Sequence, residues 1–275
     1  MSTPTAALRE TPENRFDFGA NWSSFLKRLD PDRIANAERS LAAMLGTGRL
    51  DGRRFLDVGS GSGLMSLAAR RMGAAVHSFD VDPTCVRCTR ELRRRFQGGD
   101  EEWTVEQGSI LDPDFVARLA PADVVYAWGV LHHTGDLWRA VGNSFGLVAD
   151  GGTLFLAIYN DQGWKSRAWR RVKRLYCSGA AGRWAVTGVF VPWLFLETLR
   201  HCLMQRRNLF AAYRKERGMS VVHDWIDWLG GYPFEVASLE EVFARCSREG
   251  FRLANLRSAH GTSGNNELVF VRDAP

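Results

Sequence analysis

Short apolar runs alternate with longer amphipathic segments between residues 55 and 160 of this 275-residue chain. Each apolar run has the length of a strand and stops at a turn, and each amphipathic segment has the length of a helix. The predicted strands are residues 55–58, 74–79, 103–110, 122–133 and 153–159. The predicted helices begin near Leu64 and at Pro83, with a further one over residues 137–148. This β-α-β order predicts an α/β fold with a doubly wound parallel sheet.

The end of the chain predicts one more helix and two more strands. Leu239 to Glu249 has helical periodicity, and Ser238 and Glu241 have the spacing of a capping box. Residues 251–256 and 267–271 are strand-like and are separated by a glycine-rich loop, which predicts a hairpin at the sheet edge. The pattern divides the chain into an N-terminal arm with helices (1–54), a core (55–160), a helical lid (161–234) and a closing helix with two strands (235–275).

The junction of the first strand and first core helix carries three glycines at alternate positions. Residues 57–63 have the pattern D-x-G-x-G-x-G, formed by Asp57, Gly59, Gly61 and Gly63. Dinucleotide-binding loops have G-x-G-x-x-G, and Leu64 stands where their third glycine would be. Glycine permits positive φ and close approach of a ligand to the backbone. A strand, a tight turn and a helix N-terminus therefore predict a cofactor-binding corner.

This motif resembles the first motif of class I S-adenosylmethionine (SAM)-dependent methyltransferases. Their acidic residue before the glycines suits the cationic methionine part of SAM. The fourth predicted strand, ending at Leu131, His132 and His133, is similar to that of ubiquinone-biosynthesis O-methyltransferases. The resemblance implies a Rossmann-like seven-stranded sheet with one antiparallel strand and a lid inserted after strand five. It covers residues 55–160 strongly and the tail from Leu239 more weakly, and it does not specify a substrate.

The resemblance also assigns cofactor contacts. Asp80 lies about twenty positions past the glycines and would bond the ribose hydroxyls, with Val81 against the adenine. Ser109 and Ile110 would hold the adenine edge, although the family often has Asp where Ser109 stands. The predicted cofactor residues are Asp57, Gly59, Ser60, Gly61, Gly63, Asp80, Val81, Ser109, Ile110 and Trp128, with Phe18 and Trp22 from the N-terminal arm.

Methyl transfer to oxygen is helped by a base, and histidine titrates near neutrality. His132 and His133 lie at the end of the fourth predicted strand, and the family pattern favours His132 as the base. The alternative is that these histidines cap a helix or cover the cofactor. Tyr159 is a further catalytic candidate. In the lid, His223, Asp227 and Tyr232 are predicted to contact the hydroxyls of the substrate; a capped helix followed by a turn is the alternative.

The lid concentrates positive charge. The chain has a formal net charge of +5, yet residues 160–217 contain 13 Lys and Arg against 3 acidic residues. A basic amphipathic segment precedes the apolar run 184–196, which is shorter than the roughly 20 residues that span a membrane. Three interpretations stay open: a packed lid with a solvated basic face, a membrane-surface or lipid-tail contact, and nucleic acid.

The remaining features favour a cytoplasmic protein. Five cysteines at irregular spacing fit a reducing compartment, and the first residues lack the apolar core of a secretory signal. Cys85 and Cys88 have no second pair or histidine cluster, so no metal is predicted. The sequence predicts SAM-dependent methylation of a small molecule, at an aromatic, quinone-like or sugar hydroxyl. The alternatives are an RNA or protein methyltransferase, a non-catalytic SAM-binding protein and a nicotinamide oxidoreductase.

Overall fold

Seven strands form one mixed sheet at the centre of the protein. The computed structural model describes residues 29–97, 102–205 and 221–273, apart from the side chains of residues 97, 205, 221–224 and 227. The strands are β1 (Arg54–Val58), β2 (Ala75–Asp80), β3 (Trp103–Gln107), β4 (Ala122–Trp128), β5 (Val148–Tyr159), β6 (Phe251–Arg257) and β7 (Asn265–Arg272). Their order across the sheet is β3-β2-β1-β4-β5-β7-β6, and β7 runs antiparallel to both neighbours. The predicted doubly wound sheet with one antiparallel strand is confirmed.

Helices cover both faces of this sheet. They are α1 (Pro31–Leu45), α2 (Leu64–Arg71), α3 (Pro83–Gln97), α4 (Pro113–Arg118), α5 (Leu137–Phe145), α6 (Trp164–Tyr176), α7 (Ala180–Gln205), α8 (Val221–Gly230) and α9 (Leu239–Arg248). A 3₁₀ turn, Leu131–His133, follows β4. Apolar side chains of α1, α2 and α3 pack under one face of the sheet, and those of α4, α5 and α9 pack under the other. Strands β1, β2, β4 and β5 contribute side chains to both clusters, whereas the edge strand β3 is buried on one face only.

Local chemistry sets several helix boundaries. Asp82 accepts a bond from the Thr84 N–H (2.7 Å) and Pro83 opens α3, as the sequence predicts. The capping box of Ser238 and Glu241 is present at the start of α9. Each helix then gains most of its stability by packing one apolar face against the rest of the protein.

Two boundaries differ from the sequence prediction. The fourth strand, predicted to run to His133, ends at Trp128 because Gly129 has φ of 74° and the chain turns into the 3₁₀ segment. The residues before Thr153, predicted as a turn, are included in β5. Ala122 pairs with Val148 and Val124 with Thr153, so the additional residues of β5 bulge out of the ladder.

The predicted lid after β5 consists of α6, α7 and α8. A separate apolar cluster joins the three helices, with Tyr176, Val186 and Leu229 buried at its centre. The apolar run 184–196 is one part of α7, which continues through Pro192. None of the helices that the structure describes has both the length and the hydropathy needed to span a membrane. The domain boundaries at 54, 160 and 234 stay predictions.

The glycine corner tolerates no side chain at its first position. Gly59 has φ of 72°, and a Cβ there would lie 2.2 Å from Cγ2 of Val130. Gly52 has nearly the same φ, 70°, but no atom lies within 4 Å of a Cβ placed on it. Comparing the same substitution at Gly52 and Gly59 therefore separates the effect of a steric clash from the effect of backbone strain.

We expect Gly59→Ala to lower the free energy of unfolding by about 3 kcal/mol or more, because it combines left-handed strain with a clash. Gly52→Ala should cost only about 1 kcal/mol, from strain alone. Chemical denaturation of both variants measures the difference. Equal losses would show that Val130 yields freely and that the corner is not packed as described.

Candidate cofactor and active site

Backbone donors of the glycine corner bond to the end of β2. The N–H groups of Gly59 and Ser60 both donate to the carbonyl of Phe79, at 2.9 and 3.0 Å. The Gly61 N–H donates to Oδ2 of Asp80 at 2.9 Å. The corner and the tip of β2 therefore form one rigid edge at the carboxyl ends of the parallel strands, where α/β folds bind ligands.

Asp80 is held from two sides. Its second oxygen, Oδ1, accepts from the Asp82 N–H at 2.9 Å. The side chain is almost fully buried, and burial raises the pKa of its carboxyl above the usual range. Each oxygen keeps a further lone pair, so the carboxylate can still accept bonds from a vicinal diol.

Asp57 ends a buried chain of hydrogen bonds. The indole N–H of Trp103 donates to Ser78 Oγ at 2.8 Å, Ser78 and Ser66 share a bond of 2.6 Å, and Ser66 Oγ bonds to Oδ2 of Asp57. Burial raises the pKa of Asp57 to about 7. No motif in the sequence indicates this chain of bonds, and its only local signal is one serine inside α2 and another inside apolar β2.

The predicted adenine residues have different environments. The Val81 side chain is 53% exposed beside the corner, and its carbonyl accepts from Gln107 Nε2 at 3.1 Å. Ser109 Oγ accepts from the Leu111 N–H at 3.2 Å. Ile110 is buried in the core, and its carbonyl accepts from Asn143 Nδ2 at 2.7 Å.

Trp128 lies at the end of β4, half exposed. Its indole donates to Oε1 of Glu267 on β7 at 3.1 Å, and Arg257 bonds to the other oxygen of Glu267 at 3.1 Å. A polar row therefore crosses the carboxyl edge from β4 to β6, on the face that α1 covers.

The two histidines of the 3₁₀ turn have opposite hydrogen-bond roles. His132 is fully buried, and its Nδ1 accepts from the Tyr159 N–H at 3.4 Å. His133 Nδ1 lies 2.6 Å from the carbonyl of Pro233 and must therefore carry its proton. Neutral His133 is thus protonated at Nδ1, whereas the His132 ring contacts both the Tyr159 N–H and the backbone of Ala157.

Burial also fixes the charge of both rings. It lowers the pKa of His132 well below its usual value, and that of His133 to about 4, with the ammonium of Lys173 acting in the same direction. Both rings are neutral at physiological pH. Within the part of the chain that the structure describes, Nε2 of His132 has no hydrogen-bond partner.

An aromatic cluster surrounds the histidines on the lid side. The Tyr159 ring lies 4.0 Å from that of His132, and 5.7 and 5.2 Å from those of Trp228 and Phe234. Lys173 is buried inside this cluster, 4.1 Å from the Trp228 ring, and donates to the Trp228 carbonyl. Burial lowers the pKa of Lys173 to about 7.

Of the other predicted site residues, one lies in the part of the chain that the structure describes and the rest lie outside it. Tyr232 is buried in the loop between α8 and α9. Phe18 and Trp22, and the side chains of His223 and Asp227, lie outside the described residues. The structure therefore brings together the glycine corner with Asp57 and Asp80, and separately His132, His133 and Tyr159. Their assignment to cofactor and catalysis stays a prediction.

Comparison with known proteins identifies the family. A family model described as a methyltransferase domain matches residues 26–224. The chain belongs to the methyltransferase family. Its donor is S-adenosyl-L-methionine, and the predicted enzyme class and cofactor are confirmed.

One curated relative and two solved structures illustrate the likeness. A ubiquinone biosynthesis O-methyltransferase of Paramagnetospirillum magneticum is 29% identical over 201 residues, which are 71% of this methyltransferase and 73% of that protein. Magnesium protoporphyrin IX methyltransferase of Synechocystis, solved with bound S-adenosylhomocysteine (SAH), has a TM-score of 0.54 at 14% identity, over 93% of this chain and 94% of that chain. A methyltransferase solved with the Haloferax volcanii Trm112 activator has a TM-score of 0.56 at 14% identity, over 94% and 99%. Because both are only 14% identical to this chain, these two structures show a shared fold and no more.

The residues of the corner fit the cofactor. SAM carries a cationic amine and sulfonium, a ribose diol and a flat base. Asp57 and Asp80 are two buried carboxyls whose charged forms burial disfavours, and a neighbouring cation offsets that penalty. We propose that Asp57 faces the methionine amine and that Asp80 accepts from the ribose hydroxyls.

Cofactor binding should release protons through Asp57. At pH 7 a carboxyl with a pKa of about 7 is about half protonated, and a bound cation lowers that pKa, so we expect SAH to displace up to about half a proton. Calorimetric titration in two buffers of different ionisation enthalpy measures it. Asp57→Asn should abolish most of the release and weaken SAH binding about tenfold.

Asp123→Asn is the control, since Asp123 bonds to the Arg54 N–H at the opposite end of the strands and should leave the release unchanged. A wild-type titration without proton exchange, or equal release from Asp57→Asn, would contradict the placement of the amine.

Proposed function

We propose that this methyltransferase methylates a hydroxyl oxygen of a small aromatic, quinone-like or sugar acceptor, with His133 as the general base. The sequence pattern favours His132, but the hydrogen bonds favour its neighbour. Because Pro233 accepts the Nδ1 proton of His133, the basic lone pair is on Nε2. The His132 ring is fully buried and is already bonded to the backbone of β5, to the Tyr159 N–H at Nδ1 and to Ala157.

These contacts give the two histidines different roles. SAM, when bound, supplies the electrophilic methyl group. Nε2 of His133 takes the proton of the acceptor hydroxyl as its oxygen attacks, and the proton then passes to solvent. His132 is fully buried and packs against His133, with 4.5 Å between the ring centroids, so it holds the base in position. The pKa of about 4 keeps His133 unprotonated at neutral pH.

The aromatic cluster supports a ring-bearing acceptor. Tyr159, Trp228 and Phe234 form an apolar wall beside the histidines. Flat rings bury large apolar areas against such a wall. The name of the Paramagnetospirillum relative, a ubiquinone biosynthesis O-methyltransferase, points to an oxygen acceptor of the same kind.

We expect His133→Asn to reduce turnover about 100-fold or more, because asparagine keeps a donor for the Pro233 carbonyl but offers no base. His132→Asn keeps an acceptor for the Tyr159 N–H and should lose less than about tenfold. Incubation with deuteromethyl-SAM and a metabolite extract, followed by mass spectrometry of the products, gives the acceptor and the rates. SAH affinity and thermal stability serve as controls for folding. The reverse order of the two losses would assign the base to His132.

We also propose that the lid contacts an anionic membrane surface. Helix α7 packs on α6 and α8 through residues such as Val186, Phe190 and Leu194. The opposite face of α7 is formed by residues at helical spacing and is almost wholly apolar. Its large exposed members are Trp184, Val189, Trp193, Phe195, Leu196, Leu199, Leu203 and Met204.

Charge around this face supports a lipid occupant. Residues 161–205 contain eight Lys and Arg but only two acidic residues, Asp161 and Glu197, and Glu197 is paired with Arg200. An exposed apolar helix face on a segment of net positive charge is a composition that lies in the interface of anionic lipid bilayers.

We expect the protein to cosediment with phosphatidylcholine–phosphatidylglycerol (3:1) vesicles more than with phosphatidylcholine alone. Leu196→Asp with Leu203→Asp should reduce binding at least about tenfold, because these side chains are 62% and 72% exposed and would enter the bilayer. Phe243→Asp, a 46% exposed residue on α9, is the matched control.

Unchanged vesicle binding by the double variant contradicts the proposal. So does a concentration-dependent dimer that the double variant abolishes, since a second copy would then cover the face.

A further inference from the structure

One charged side chain of the lid is fully buried and has no part in the chemistry proposed so far. Lys173 is 0% exposed, whereas the other lysines and arginines of α6 are exposed. It stands on the inward stripe of the helix, at helical spacing from Ser166, Trp169 and Tyr176, where an apolar residue is expected. Burying an ammonium group is costly unless neighbouring groups compensate, so the surroundings of Lys173 indicate its role.

The ammonium group of Lys173 is held by α8 and by the loop that follows α8. It donates to the Trp228 carbonyl in the last turn of α8, where helix carbonyls lack partners within the helix. The ring centroids of Trp228 and Phe234 lie 4.1 and 4.9 Å from its nitrogen, within the range of cation–π attraction. One carbonyl and two ring faces therefore replace part of the water that the ammonium group has lost.

The same groups lead to His133. Phe234 follows Pro233, whose carbonyl lies 2.6 Å from Nδ1 of His133. The Phe234 ring also packs on that of Tyr159, with 5.2 Å between centroids, and the Tyr159 ring lies 5.5 Å from that of His133. Lys173 and His133 thus share one loop and one wall of aromatic rings. A charge on the lysine acts on the histidine through packed protein, where it is less screened than in open solvent.

The ionisation of the two side chains agrees with this geometry. Burial lowers the pKa of His133 to about 4, and the charge of Lys173 acts in the same direction. Burial lowers the pKa of Lys173 to about 7, so the lysine is charged in acidic solution and loses its charge as the pH rises through 7. The positive charge is therefore present over the pH range in which an ordinary histidine takes up a proton.

The other ionisable groups around Lys173 do not cancel this charge. His132 on the 3₁₀ turn is neutral, and Cys177, one turn along α6, raises the pKa of the lysine. Glu235 of the loop is bonded to N–H groups ahead of α5. The side chains of α8 that the structure describes include no ionisable group. No carboxylate among the described side chains forms an ion pair with Lys173.

We propose that Lys173 is a positioning residue for the catalytic base: its ammonium group fixes the loop that orients His133, and its positive charge keeps a second proton off that ring in mildly acidic solution. This deepens the proposed function and rests on His133 being the base. The lysine acts through His133 and needs no contact with the acceptor.

Titration of the histidine rings by NMR in the SAH complex tests the charge without turnover. Lys173→Met removes the charge from a side chain of similar size, and it should raise the pKa of His133 from about 4 toward the usual value of about 6.5. The His133→Asn spectrum assigns the signal. Lys165→Met removes an exposed lysine from the same helix and should leave this pKa unchanged. An unchanged pKa in Lys173→Met, or equal shifts in both variants, overturns the proposal.

The pH profile of methyl transfer tests the consequence for catalysis. At saturating SAM, the ratio of turnover at pH 5.5 to turnover at pH 8 should fall at least about twofold in Lys173→Met relative to the wild type, because more of His133 is then protonated. Lys165→Met should keep the wild-type ratio. Lys173→Gln removes the same charge but retains a donor for the Trp228 carbonyl, so it should show the same acid loss, and it replaces Lys173→Met in both experiments if that variant folds poorly.

A wild-type ratio in both Lys173 variants also overturns the proposal. SAH affinity and thermal melting show that each variant is folded. Failure of the proposed base has a different signature: His133→Asn would retain full turnover, while the shift of the His133 pKa in Lys173→Met would still be observed.

Discussion

The site depends on the attachment of the glycine corner to the tip of β2. Three consecutive backbone donors, from Gly59 to Gly61, bond to the Phe79 carbonyl and the Asp80 carboxylate. The bond to the Asp80 carboxylate is buried, and water cannot replace it without cost. The turn therefore cannot relax independently of the sheet. Because β1 and β2 are adjacent and parallel, the same attachment sets the distance between Asp57 and Asp80, the two carboxyls assigned to the opposite ends of the cofactor.

The lid depends on a different interaction, the burial of Lys173. Its ammonium group donates to the Trp228 carbonyl at the end of α8 and lies over the rings of Trp228 and Phe234. One side chain thereby joins α6, α8 and the loop that carries Pro233. Since that loop orients His133, the charge and position of a lid lysine bear on the basicity of a histidine that follows the sheet. The position and the basicity of His133 thus depend on the packing of the lid as much as on the core.

The sequence predicts the core well and the lid poorly, for a physical reason. Apolar periodicity and the glycine spacing are local signals, and they locate β1, α2 and β2 to within a residue or two. The end of β4 depends on a positive φ at Gly129, which a strand-like composition conceals. His132 and His133 bond to the backbone of Tyr159 and Pro233, residues up to 100 positions away, and no pattern in the sequence indicates those contacts. The burial of Lys173 among aromatic rings is equally non-local.

The serine chain behind Asp57 ends in a group whose hydrogen-bond role changes with its ionisation. An indole nitrogen only donates, so Ser78 accepts from Trp103 in either case. While Asp57 is ionised it only accepts, so Ser66 donates to it and Ser78 donates to Ser66. When the proton is on Oδ2, both hydroxyls turn the other way. A bound cation that keeps Asp57 ionised therefore also fixes the direction of a row of hydroxyl groups that reaches β3.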